Sequence, residues 1–405
     1  MIHTFIHRFL LRRHFWRYAT FSEVAELYTS RMLRMAAINI AAALMSVFLY
    51  QHGYSLAFIA GFWTLYFGFK AVIALPSARY VARFGPKHTI LLANLLYIPA
   101  MMLLSLVPQW GLWALTLTGI LQAVSVTCYN VGHQTSFSKV KNPEHAGKEI
   151  AYMNIVEKIA TSLSPLIGGA LAFWFGPESA MWAAALLFGL ASVPLFATAE
   201  PTKTGRKLVF RGFPWRMAWR SLRAGFGYGY DSFSSGTVWT LFVAVVVIGV
   251  SSKNTVYGVL GILLSVVLFA SFAASYAYGR LIDRRRGGEL LKMAVVANSL
   301  VHVVRPFVTS PVVVGAVNVA NEAATTGYVM AFTRGMFDTA DLSGHRITYL
   351  GCMEVVQNAG ATVAAALFMI MLMTLGNGQG IHDFFFVAAV IGLLIMTPQF
   401  RLYRR

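Results

Sequence analysis

Apolar runs of membrane-spanning length follow one another along almost the whole chain, and nothing else constrains its fold as strongly. About 20 mostly apolar residues in a helix cross the hydrocarbon core of a bilayer. Twelve such runs can be marked, at roughly 28–50, 56–78, 88–107, 111–136, 147–173, 179–198, 224–250, 255–280, 289–308, 311–334, 346–374 and 379–399. The chain is 57% hydrophobic and only 12% charged, against about 25% charged in a soluble domain. A soluble core cannot hide that much apolar surface, so lipid is the solvent. With no water in the hydrocarbon to satisfy the backbone, the runs read as helices. The expected fold class is an all-α polytopic membrane protein.

Charge between the runs sets the expected orientation. The segment before the first run, the 2–3 loop (Arg79, Arg83, Lys87), the 4–5 loop (Lys139, Lys141, Lys148) and the 8–9 loop (Arg284, Arg285, Arg286) are basic, as is the C-terminus. The opposite loops offer little charge: His52, Glu178, Lys253 and Asp383. Cationic loops stay on the cytoplasmic side, so both termini are expected there, with Trp110, Trp113 and Trp174 as an outer aromatic belt. The net charge of +18 would suggest nucleic acid in a soluble protein; here it reads as topology. Phe5, Phe9, Trp16 and their apolar neighbours alternate with Arg8, Arg12, Arg13 and Arg17, as in a basic helix lying on an anionic leaflet or a partly ordered tail. The same arginines interrupt any cleavable signal. The expected divisions are a basic segment 1–27, a six-helix bundle 28–198, a cytoplasmic linker 199–223, a second bundle 224–399 and a tail 400–405.

The chain also repeats itself. Glu157 and Glu354 each lie five residues after a tyrosine (Tyr152, Tyr349), with a glycine (Gly147, Gly344) five residues earlier still. The copies are 197 residues apart, close to half the chain. Duplicated halves that each bury an acid point to a transporter built from repeats, because ionisable groups in a bilayer are costly and mark function.

Three local patterns carry a family resemblance. Gly279 to Gly287, with Asp283 and Arg284 at its centre, resembles the loop motif of the major facilitator superfamily. The first half keeps Arg83, Gly85 and Lys87 of that motif but has Ala82 in place of its aspartate, which puts an Asp-centred latch there in doubt. Ser164, Pro165, Gly168 and Gly169 in the fifth run resemble the helix 5 motif of drug/proton antiporters in that superfamily, or ordinary tight helix packing. The resemblance covers nearly the whole chain. It implies 12 transmembrane helices in two pseudo-symmetric six-helix halves, with helices 1, 4, 7 and 10 around a central cavity and 2, 5, 8 and 11 at the interface.

On that plan helix 10 brings Asn318, Asn321, Glu322, Thr325 and Tyr328 to the cavity, with Glu322 near the midplane. Helix 4 brings Gln122, Ser125, Tyr129 and His133. Glu322 is expected to hold substrate or a proton, or to be a structural acid bonded to Asn321. Glu157 and Glu354 are expected to couple or gate. Proposed pairings are Lys70 with Glu354, Arg34 with Glu157, and Arg31 with Asp231; the two arginines alternatively snorkel to headgroups. Cys128 and Cys352 form no disulfide or zinc pattern, no cofactor or metal is implied, and no nucleotide-binding motif appears.

The expected function is a secondary active transporter working by alternating access, not an enzyme. The leading version is proton-coupled export of a lipophilic or cationic small organic compound. Proton-coupled nutrient uptake is the alternative, and a lipid flippase or a non-transporting scaffold is another. A scaffold would have no central cavity. The expected partners are the substrate, protons and anionic inner-leaflet lipids, with no nucleic acid; the expected state is a monomer in the plasma (inner) membrane.

Overall fold

In a computed structural model, the described residues are 21–140, 146–196, 205, 207–249, 255–398 and 400–403. They are helical, with no strand among them. The basic segment before residue 21, residues 197–204 of the linker and the last two arginines lie outside this set.

The first six helices are α1 (Phe21–Gln51), α2 (Leu56–Phe84), α3 (Pro86–Ser105), α4 (Leu112–Val140), α5 (Ala146–Phe175) and α6 (Pro177–Ser192). Next come α7 (Trp215–Ile248), α8 (Thr255–Asp283), α9 (Gly287–Phe307) and α10 (Pro311–Leu342). The stretch Arg346–Met396 is continuous by hydrogen bonding, but Gly376 sits at φ 79, ψ 167 inside it. Phe368 and Phe384 meet edge to face with centroids 5.0 Å apart; sixteen residues of straight helix would separate them by about 24 Å. The stretch is therefore a hairpin, and we call its arms α11 (346–375) and α12 (377–396). Among the described residues ten helices are long and apolar enough to cross a membrane. The protein is an all-helical, integral multi-pass membrane protein.

Two turns use the same device. Gly85 (φ 93) precedes Pro86, and Gly176 (φ 87) precedes Pro177. Glycine adopts the positive φ without strain, and proline at the first helical position loses no hydrogen bond. Helix α7 begins at Trp215, within the stretch 199–223 read from the sequence as linker. Two π-helical turns, Ser234–Val238 and Val243–Ile248, interrupt α7.

Small residues set how closely the helices approach. A Cβ on Gly168 would lie 2.2 Å from the Ile40 carbonyl oxygen, so glycine there lets α5 pack backbone to backbone on α1. One residue on, a Cβ on Gly169 would lie 2.5 Å from the Tyr257 carbonyl oxygen of α8. Gly360 of α11 meets the Phe226 carbonyl of α7 in the way Gly168 meets Ile40. The α1–α5 crossing in the first six helices thus has a counterpart, α7–α11, in the last six. Between the two sets, α2 lies along α11 and α5 along α8.

The loop motifs do structural work. Lys87 does not reach for headgroups: it is buried and its Nζ donates to Glu26 Oε2 at 2.9 Å, tying α3 to α1. Arg83 lies over the Phe84 ring, and its carbonyl accepts from Gly205. Gly279 is buried, Arg284 is exposed and Asp283 is half-buried.

Gly168→Ala is expected to cost about 1–3 kcal/mol, because the α1 backbone must move. Gly315→Ala, where a Cβ meets nothing within 4 Å, should be neutral or stabilise by up to about 1 kcal/mol. Thermal melting of both purified variants checks this, and equal melting temperatures would refute the close-crossing argument.

Candidate functional site

A cavity of about 550 Å3 lies between the two sets of helices. One wall comes from α1, α2, α4 and α5, with Asn39, Trp63, Tyr66, Lys70, Gln122, Lys158 and Thr161. The other comes from α7, α8 and α10, with Ser235, Gly236, Trp239, Asn318, Asn321 and Glu322. The first π-helical turn of α7 is what brings Ser235, Gly236 and Thr237 to the wall. The aromatic residues are fixed in place: Trp63 Nε1 donates to Ser46 Oγ (3.0 Å), and Trp239 Nε1 to Asn318 Oδ1 (2.7 Å).

Glu322 is not bonded to Asn321. Its Oε1 takes hydrogen bonds from Ser271 (2.7 Å) and Thr326 (2.8 Å) and pairs with Lys158 Nζ at 2.7 Å. Lys158 is on α5 and Glu322 on α10, so this ion pair crosses between the two sets of helices. Lys70 has no such partner. Its ammonium faces the rings of Tyr66 (5.5 Å) and Phe67 (5.1 Å), and no described carboxylate lies at ion-pair distance from it. Glu354, whose charge acts on Lys70, instead accepts from Asn130 of α4 and Asn358, each at 3.0 Å. Of the cavity's three charged side chains, two are cations and one is an anion.

A second cavity of about 300 Å3 lies towards the end that carries the basic loops; Ser232 lines both. Glu157 is there, held by Arg31 through Nη2 (2.6 Å) and Nε (2.9 Å), and Arg31 also donates to His133 Nδ1 (3.2 Å). Phe137 of α4 and Phe337 of α10 meet beside it with centroids 5.6 Å apart.

Two arginine pairings expected from sequence are corrected. Arg31, not Arg34, holds Glu157, and neither arginine meets Asp231. Arg34 points the other way round α1 and is fully buried. It donates to Asn94 Oδ1 (2.7 Å) and Ser125 Oγ (3.1 Å) and lies 4.1 Å over the Tyr129 ring. Tyr129 therefore supports Arg34 and does not line the central cavity, whereas Gln122 does. Thr325 bonds back to the carbonyls of Asn321 and Glu322. The Tyr328 hydroxyl donates to Asp231.

Asp231 is the centre of a cluster that sequence reading missed. Asn298 Nδ2 (2.7 Å) and His302 Nε2 (2.6 Å) also donate to it. Arg305 donates to His302 Nδ1 (2.9 Å), Asn321 Oδ1 (2.8 Å) and Ser235 Oγ (3.2 Å).

A sequence profile described as the Major Facilitator Superfamily matches residues 27–334. The chain belongs to that superfamily. It is a transporter, not an enzyme. Its fold is similar to the human organic anion transporter MFSD10 (TETRAN): TM-score 0.70, 12% identity, covering 92% of this chain and 98% of that one. It is similar also to the transporter FucP in the outward conformation (TM-score 0.66, 14% identity, 92% and 97% covered). A variant of the E. coli fucose:proton symporter FucP gives TM-score 0.64 at 13% identity, with 92% and 97% covered. No curated protein sequence matches significantly. Identities this low speak to the fold alone.

Replacing Lys158 by Met leaves Glu322 uncompensated and is expected to cost about 1–3 kcal/mol, the scale of a lost charged hydrogen bond. Adding Glu322→Gln should recover part of that loss. A double-mutant cycle read by thermal melting would show additive losses if the two side chains do not interact.

Proposed function

We propose that this transporter moves small, partly aromatic organic anions by proton-coupled alternating access, with the central cavity as the substrate site. The observation that carries this reading is Lys70, an ammonium at the cavity wall with aromatic neighbours and no carboxylate at ion-pair distance. The charge of Glu354 reaches Lys70 without pairing with it; a cation so placed out of water is costly, and a bound anion lowers the cost. Arg34, fully buried and likewise without a described carboxylate partner, adds positive potential behind the same wall. One protein of similar fold is an organic anion transporter, which agrees with this charge balance; another is a fucose:proton symporter, which agrees with proton coupling. The charge favours anions over the cationic compounds that sequence alone suggested. The cavity also argues against a non-transporting scaffold. The proposed direction is proton-coupled uptake, the alternative to export, in line with the proton symporter among the proteins of similar fold. Inside-out vesicles test it: an imposed proton gradient drives accumulation by an exporter and not by an importer.

In this reading Glu322 holds Lys158 until the substrate's anionic group competes for it. Loss of that pair between α5 and α10 frees the two halves to rock about the site. We further propose twelve crossings, with α10 and both arms of the Gly376 hairpin each spanning the bilayer, in two six-helix halves. Both termini are then cytoplasmic, in the plasma membrane. A cysteine introduced beside Arg401 should be labelled by impermeant reagents only in inverted vesicles; labelling in intact cells would reverse the topology.

The charge reading is tested by thermal shift. Aryl carboxylates and sulfonates should stabilise the purified protein by RT ln(1 + [L]/Kd), and quaternary ammonium compounds of equal size should not. Lys70→Gln should lose at least tenfold in anion affinity while Lys70→Arg keeps most of it. Stabilisation by the cations, or full anion affinity in Lys70→Gln, would sink the proposal.

A further inference from the structure

The cluster around Asp231 is outside the substrate cavity yet touches it through one side chain. Asp231 and His302 are fully buried, as is Arg305. A guanidinium only donates hydrogen bonds and stays charged. Its bond to His302 Nδ1 therefore makes that nitrogen an acceptor, and the ring proton sits on Nε2, donated to Asp231. The imidazole is neutral, and the charges of Asp231 and Arg305 balance. A further proton can enter only at the carboxylate or at Nδ1 once Arg305 has left it. Either event leaves one positive charge in excess. Arg305 has a place to go, because its other partners, Ser235 and Asn321, line the central cavity.

We propose that Asp231 and His302 form the proton-binding site of this transporter and that Arg305 carries its occupancy to the substrate cavity. With the site empty, Arg305 is held against His302. With a proton bound, the excess charge drives the guanidinium towards the cavity, where it attracts an anion. Proton and anion then favour each other's binding, and the coupling is reciprocal. The groups facing the cluster from its neighbours are few. Tyr228 of α7 packs edge-on against Tyr328 of α10 at 6.0 Å, and both are phenols. From α12, Phe385 stacks on His302 at 6.3 Å, and a Cβ on Gly392 would lie 4.0 Å from Asp231 Oδ1; neither residue ionises. Among the described residues this leaves an imidazole and a carboxylate to exchange the proton. The proton site rests on the reading of the chain as proton-coupled, and its coupling through Arg305 rests also on an anionic cargo.

Trp239 is a built-in reporter, since Arg305 lies 4.9 Å over its ring. Purified protein without substrate is titrated from about pH 8 to about pH 5, the range in which histidine changes charge, and its tryptophan emission is followed. Subtracting the Trp239→Phe variant isolates that one side chain. The expected result is a single emission transition that is lost in both His302→Gln and Asp231→Asn, each of which keeps the shape and a hydrogen-bonding group. Affinity for the probe 2-naphthoate should rise at least threefold across the same transition in the wild type and stay flat in His302→Gln. A pH-independent Trp239 signal in the wild type, or an unchanged transition in either variant, would overturn the proposal. If His302→Gln does not fold, Asp231→Asn decides alone. If the transition follows both residues but 2-naphthoate never binds, the proton site stands and the anionic cargo is wrong.

Discussion

A charge taken out of water must find a partner within the protein, and the interior of this transporter is organised by how that requirement is met or left unmet. Most buried charges are answered. Lys87 finds Glu26, Arg31 finds Glu157, Lys158 finds Glu322, and Arg305 shares a cluster with Asp231. Removing one partner from such a pair leaves the other exposed to a low-dielectric interior, which is more costly than the pair itself. The pairs are therefore also joints. Lys87–Glu26 and Arg31–Glu157 fasten helices of the first six to one another, whereas Lys158–Glu322 fastens the first six to the last six. A joint of the latter kind has to open when the two sets move apart. Lys70 is the exception at the cavity wall, with no described carboxylate at ion-pair distance, while Arg34 is answered by Asn94, Ser125 and the Tyr129 ring.

Glycine provides the second organising constraint. With lipid outside, helices gain nothing from hiding apolar side chains from one another, so close van der Waals packing and interhelical hydrogen bonds hold them together. Gly168 brings α1 onto α5, Gly169 brings α8 onto the same helix, and Gly360 repeats the first contact between α7 and α11. The helix 5 motif is thus a double seat, one face for a helix of its own set and the next for a helix of the other. Contacts made of backbone against glycine have no bulky side chains to unlock, which suits surfaces that must roll on one another.

Much of this is legible in the sequence, for physical reasons. Apolar runs of fixed length dictate helices in lipid, and the tyrosine–glutamate spacing is the feature from which a duplication is read. Asn318, Asn321 and Glu322 of α10 line the cavity, and the sequence points to that helix because a polar stripe on an apolar helix must face something other than lipid. Partners are harder. Arg31 and Arg34 are three residues apart, close to one helical turn, and only the rotation of α1 decides which meets Glu157. Lys158 is hidden in the sequence beside the more conspicuous Glu157, yet the helix turns Lys158 towards α10 and Glu157 towards α1. Arg305 does leave a signal: it is a lone arginine at the end of a span where the positive-inside pattern allows little charge. Nothing in a single sequence says that Asn298, His302 and Tyr328 converge with it on an aspartate of α7, since that convergence depends on how three helices pack.

The Asp231 cluster also bears on how the chain is made. Its acid lies on α7, two of its donors and its arginine on α9, and its phenol on α10, 97 residues later. Helices enter the bilayer in the order of synthesis, so α7 reaches the membrane before the partners of its carboxylate on α9 and α10 have followed. The cluster is therefore complete only when α7, α9 and α10 are all in place, which ties the packing of these three helices to one another.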